Sequence, residues 1–456
     1  MPKETDADAG CDLASQPWRR WDGHVATLAA TISLRRQRPG SASVAAHARL
    51  IILDTIGCAI AGRTAPELAL LEAHAATREP GAFHFPQGPG LGLRPAMQVL
   101  AIGPTWHEAC EGHAFAHGRP GIATLAALFP LALARGATLG ALIDAFVVGY
   151  EVNARAGGWL RVRSGMHVDG NWPALGAAAA VGSLLGLDDA AMLHAVNSAA
   201  CQLPTSLYLP IRTGRSVRNA YLAHSATLGL DAALQAQAGF DAPPDALAHY
   251  AEFHSQAVAQ PMPAAEQDLL PEAYLKPFAA VRHVHYGAIA ARRIRERAAG
   301  DTSRMTGIHL SVYEEATIYC GNPQPTTPLA AQFSLSFGIA AALRTGTIDA
   351  LTYQAPAFDD AELRRLEQLV TISVDAALTR QAQRGATLTV HEGDSATLVE
   401  HVAYDDPALI LSPAGVREKF LKNVAPTIPP DRAGAFCDAL MDGPIDLAIQ
   451  QVWSAL

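Results

Sequence analysis

Aromatic residues make up only 6% of this 456-residue sequence, and charged residues only 17%. So few rings in an alanine-rich chain argue against a β-sandwich and for closely packed helices. Cysteine is scarce too: Cys11, Cys58, Cys110, Cys201, Cys320 and Cys437 include no CxxC pair. No zinc or iron–sulfur spacing is visible, and a secreted disulfide framework is not expected. Positive charge is in deficit, with 34 Lys plus Arg against 43 Asp plus Glu, a formal net charge of −9. That excludes a general nucleic-acid binder and gives no polybasic membrane patch. The longest apolar regions are broken by Arg135 and Asp144 or look too short to span a bilayer. The opening MPKETDADAGCDLASQPW is polar and acidic, unlike a signal or transit peptide. A cytoplasmic protein with no membrane segment is the expectation.

Half of the residues are hydrophobic, enough for a large core. The organising stretch is GMHVDGNWPALGAAAAVGSLLGL, from Gly165 to Leu187. Its second half reads as a helix, with Asn171 as N-cap, Pro173 in the first turn and Gly186 as the stop. Its small residues allow neighbouring helices to approach closely. His167 precedes this helix in a loop at the positive end of the helix dipole. That position favours an anion and a neutral imidazole.

Around it the pattern is helical. Ala48 to Gly62 reads as a buried helix, and Gly121 to Gly136 as another with a kink or break at Pro130. Further helices follow the cap candidates Thr138 and Asp188, and one covers roughly Asn219 to Ala238. The pattern changes near Pro271. Strand-like runs appear at Gly307–Glu314, Val370–Val374 and Ala386–Glu392, and Gly393-Asp394 suggests a hairpin turn. After Pro407 helices return. The expected fold is mainly α. A disordered tail covers 1–20, and a helical domain is built from 21–270 and 404–456. A smaller α+β domain at 271–403 is inserted into it.

Five segments in order carry a resemblance: DTIGCAIAG, VVGYEV, GMH with the helix ending GSLLGLD, YLKPFAAVRHVH, and NPQPTTPLAAQFSLSFGIAAAL. Together they resemble the MmgE/PrpD superfamily, which includes 2-methylcitrate dehydratase, cis-aconitate decarboxylase and iminodisuccinate epimerase. The resemblance implies an all-α domain with an α+β lid, a homodimer, and cofactor-free proton transfer at carbon next to a carboxylate. It implies a small anionic carboxylate substrate. His167 matches the family's active-site histidine and is expected to be the base. Arg218 and Lys276 match carboxylate-binding positions. Tyr319 matches a tyrosine near the lid's entrance, expected as acid or polarising donor. His285 matches the histidine opening the next lid helix.

One departure stands out. The family's AHALDFDD and HPS elements are replaced by CEGHAFAHGRPGIATLAALFP. His113 fits the first histidine and Arg119 stands near the second, but the paired aspartates are gone. A pocket more positive on this side is therefore expected, and poor activity on 2-methylcitrate and cis-aconitate. His113 and His117, four apart, would share one helix face with Glu108 or Glu111 nearby, which suits a metal. The spacing is not HExxH and the family is metal-free, so pocket lining is expected, with His117 or Glu111 as substitute acid or base. The expected function is a lyase of dehydratase or decarboxylase type. The alternatives are an epimerase using His167 and His117 as opposed bases, and a non-catalytic homologue that binds a ligand or partner.

Overall fold

The computed structural model describes residues 16–393 and 396–456. Most of the expected tail lies outside these residues, but its last part is folded. Pro17–Trp21 forms a helical turn. Trp21 is buried, packs on Trp159 with ring centroids 6.0 Å apart, and donates its indole N–H to Glu252. A large apolar ring with a polar partner is reason enough for order here.

The helix Pro173–Leu184 lies at the centre of the molecule. It packs against the helices Pro120–Ala134, Leu139–Trp159, Asp189–Ala200 and Tyr221–Gln237. Ala177, Ala178, Ala179 and Ala180 are wholly buried. A Cβ on Gly176 would overlap the Gly149 carbonyl and the Asn153 side chain of the neighbouring helix. Close approach, rather than large side chains, therefore builds this part of the core. Thr138 and Asp188 cap their helices as expected, accepting from the backbone N–H of Ala141 and Ala191. Asn171 does not. The helix begins two residues later, and the Asn171 amide donates to the Pro204 carbonyl and the Tyr250 hydroxyl. Pro130 neither ends nor splits its helix, which continues to Ala134. Gly186 does close the central helix, at φ +72°.

The helix Ala42–Gly62 starts six residues earlier than expected, at 21 residues. By length and composition it is apolar enough to cross a membrane, contrary to the sequence reading. However, 83% of its most apolar window is buried inside the protein. The late helix Pro413–Val424 packs on it, with Phe420 seated over Gly57. The helical core is thus built from both halves of the chain.

The strands β1 (Met305–Val312), β2 (Val370–Val374), β3 (Gly385–Glu392) and β4 (Ala396–Ala403) form one sheet in the order β4-β3-β1-β2. Only β1 and β2 are parallel, and helices Leu335–Thr345 and Ala361–Gln368 supply the crossover that such a pair requires. β3 and β4 pair antiparallel in the expected hairpin, whose turn falls partly outside the described residues. The helix Arg282–Arg297 covers β3 and β4. Its first turn reaches toward the helical core and brings the two parts of the chain to a common cleft.

Candidate active site

This cleft, of about 300 Å³, collects side chains from both the helical part and the sheet-bearing part. Its floor is an ionic cluster centred on Glu108. The Glu108 carboxylate accepts from Arg119 Nη1 at 3.0 Å, Arg218 Nη2 at 2.6 Å and Lys276 Nζ at 2.9 Å. Arg119 also donates to Asp169, and Arg218 Nη2 lies 3.8 Å from the same carboxylate. All five groups are at least 95% buried. Burial opposes the charge on Glu108, but Arg119, Arg218 and Lys276 outweigh it and hold the carboxyl well below its usual range. Asp169 is lowered in the same way, chiefly by Arg119 against its burial. Three cations against two carboxylates leave a net charge of +1 at the floor.

Glu108 and Asp169 put two carboxylates in the cleft, and the three cations around them keep its floor net positive. Arg218 is corrected as first carboxylate anchor. Besides Glu108 it donates to the Thr105 carbonyl and Asn219 Oδ1, so both Nη groups are committed within the protein and only its buried Nε–H has no partner. Arg119 is committed likewise. Lys276 uses two of its three N–H bonds, on the carbonyl and carboxylate of Glu108, and keeps one for a ligand. Glu108 itself has φ +53°, a left-handed conformation that costs a non-glycine residue about 1 kcal/mol. The ionic contacts hold it there.

His167 lines the cleft, its ring stacked on Tyr208 with centroids 5.9 Å apart. Burial, reinforced by Arg218 and Arg119 against the opposing Asp169, pushes its pKa down to about 4. It is neutral, as expected. The Asp169 backbone N–H donates to Nδ1 at 3.1 Å, so the neutral ring carries its proton on Nε2. In this tautomer His167 offers the cleft a donor. His117 stands at the mouth at φ +54°, and its ring makes no hydrogen bond among the described residues. Desolvation on its protein side, with Arg161 and Arg384, lowers it to about 4. Its nitrogen lone pair is free. Glu111 is buried without a cation beside it, and its carboxyl is pushed up to about 7. It accepts from the Gly121 N–H and the Tyr150 hydroxyl, which explains its position as lining rather than ligand.

Two histidines expected at the substrate are structural. His113 donates Nε2–H to the Leu269 carbonyl and accepts the Ala116 N–H at Nδ1, so both ring nitrogens are used. His285 is fully buried outside the cleft, bonded to the Ala280 carbonyl and packed on Phe278. Two residues earlier on the same helix, about 200° round, His283 does line the cleft, stacked on Tyr319. Tyr319 is at the mouth, 43% exposed, edge-on to Tyr208. Arg282 and Arg384 complete the cleft. Arg282 lies over the Tyr274 ring, and Arg384 pairs with Glu315 at 3.1 Å through one nitrogen. The VRHVH run contained the signal for Arg282 and His283; no sequence feature marked Arg384. Among the described residues, no group of three or more His, Cys, Asp or Glu side chains is placed to hold a metal ion.

Family models match nearly the whole chain. That for the MmgE/PrpD N-terminal domain covers residues 25–264, and that for the MmgE/PrpD C-terminal domain covers residues 278–441. The chain belongs to the MmgE/PrpD family. This family includes dehydratases and decarboxylases. No curated protein matches the chain. In this MmgE/PrpD protein the two matched regions each contribute to the cleft: the first supplies Glu108, Asp169, His167 and Arg218, and the second Arg282, His283, Tyr319 and Arg384.

Proposed function

We propose that this MmgE/PrpD protein is a cofactor-independent lyase acting on a small di- or tricarboxylate, with loss of water or CO2 next to a carboxylate. The observation that carries the reading is the meeting, in one cleft, of two neutral histidines of opposite character with three cations, Lys276, Arg282 and Arg384, that each keep N–H groups beyond their contacts with Glu108, Leu409 and Glu315. The remaining N–H of Lys276, with Arg282 and Arg384, holds the substrate carboxylates. In dehydration His117 takes the proton from the carbon beside a carboxylate. The electron pair spreads onto that carboxylate, where these cations and the His167 Nε2–H stabilise it without a proton transfer. Tyr319 protonates the departing hydroxyl, which leaves as water. In decarboxylation the same donors stabilise the carbanion left by CO2. His167 is thus a polarising donor in this reading, and the base role passes to His117. The sheet-bearing part would act as the lid, and the working protein as a cytoplasmic homodimer.

The test is a panel of hydroxylated and unsaturated di- and tricarboxylates, including 2-methylcitrate and cis-aconitate, followed by proton NMR. Turnover of at least one, with kcat/KM of roughly 10⁴ M⁻¹ s⁻¹ or above, is expected. No turnover of any member would overturn the reading.

A further inference from the structure

A second cavity, of about 200 Å³, lies behind the cleft. Ala109 and Pro277–Ala279 line it, while their chain neighbours Glu108 and Lys276 line the cleft. The two spaces share a wall. Lys419, paired with Asp54 at 2.6 Å, holds that wall by donating to the carbonyls of Ala109 and Lys276. Lys422 is also paired, with Asp349 at 2.6 Å.

Two polar groups facing this cavity have no such partner. The half-buried Arg292 side chain makes no hydrogen bond or close ion pair among the described residues; its guanidinium lies over the Phe278 ring at 5.5 Å and feels the Asp406 carboxylate only at longer range. His107 is 8% exposed and its ring also makes no hydrogen bond among them. Burial lowers it to about 4, so it is neutral. Buried polar groups are as a rule paired. Most of the other charged groups on the walls are paired with one another, so the unpaired guanidinium and imidazole, beside the apolar Ala109, Phe278, Ile348 and Leu411, are the polar anchors left for a small molecule. We infer that this cavity is a second ligand site, distinct from the cleft, that takes a small monocarboxylate with an apolar body. Arg292 takes the carboxylate, His107 supplies a hydrogen bond, and Phe278 and Ile348 cover the body. One negative charge is the limit because Lys419 and Lys422 are already neutralised and Glu418 stands at the rim.

Calorimetric titration of the full-length protein with hexanoate tests this. The wild type should bind at one site, Arg292→Gln should bind at least tenfold more weakly, and Tyr319→Ala, altered only at the cleft, should bind as the wild type does. Hexylamine, with the same body and the opposite charge, should not bind. Absence of hexanoate binding, equal binding by Arg292→Gln, or equal binding of hexylamine would each overturn the inference. Should Arg292→Gln fail to fold, the His107 imidazole ¹⁵N resonances of the wild type decide. They should move on hexanoate addition, and unmoved resonances would refute the site.

Discussion

Glu108 shows how one side chain can set the chemistry of a cleft without touching the substrate. Three buried cations converge on its carboxylate; Arg119 also pairs with Asp169, but Lys276 has no other carboxylate partner and Arg218 only the more distant Asp169. Breaking a buried ion pair by removing one partner costs about 3–5 kcal/mol, more than the pair's own net worth. Glu108→Gln should therefore lower unfolding stability by about that amount in urea denaturation; a change below about 1 kcal/mol would mean the cluster is not stabilised in this way. The residue types of the cleft were legible in the sequence, since His117, His167, Lys276 and Tyr319 all line it. Their hydrogen-bond commitments were not. Whether Arg218 faces a ligand or a neighbouring glutamate depends on a contact 110 residues away. Which of His283 and His285 faces the cleft depends on how the helix is rotated. The loss of the aspartate motif was equally visible, but the convergence of Glu108 and Asp169 on Arg119 and Arg218 exists only in three dimensions.

At the scale of elements, the small-residue helix Pro173–Leu184 is the scaffold for His167, and its tight crossings explain its composition. Gly176→Ala would drive a methyl into the Gly149 carbonyl and Asn153, both in well-packed surroundings. Overpacking of this kind costs about 1–3 kcal/mol. Gly434, inside the helix Pro430–Asp442, has open space where a Cβ would stand. Gly434→Ala should stabilise by about 0.5–1 kcal/mol through helix propensity alone. Thermal melts of the two variants should move in opposite directions; shifts of the same sign would contradict the packing account. Helices, strands and most caps were legible because periodicity and cap residues are local signals. The start of the central helix was misjudged because Asn171 spends its amide on Pro204 and Tyr250, a tertiary contact that outweighs the local cap.

The whole molecule carries the consequence of desolvating several neutral imidazoles. His107, His117 and His167 are lowered to about 4, and His283 to about 3. Between pH 6.5 and about 4 the unfolded chain binds these protons and the folded chain does not, so stability falls as pH falls through that window. Glu111, raised to about 7, acts the other way between about 4.5 and 7, but it is one group against four. Below about 4.5 the depressed carboxyls of Glu108 and Asp169 add to the loss, since their unfolded forms take up protons first. The urea midpoint should be nearly level between pH 7 and about 8 and decline steadily from pH 6.5 to 4. A flat or rising midpoint over that range would contradict the desolvation of these histidines as neutral rings.

The central claim is proton transfer at carbon next to a carboxylate, performed by the histidines of the cleft. It is tested most directly by turnover in D2O with the polycarboxylate that the enzyme accepts, read by NMR. The wild type, run to equilibrium, should place deuterium at that carbon, in the recovered substrate if the reaction is a dehydration and in the product if it is a decarboxylation. His117→Ala should slow the incorporation by roughly 10²–10⁴-fold, with a melting temperature near that of the wild type because His117 lies at the cleft mouth, outside the core. Deuterium incorporation at the wild-type rate in His117→Ala, or none by the wild type, would contradict the account.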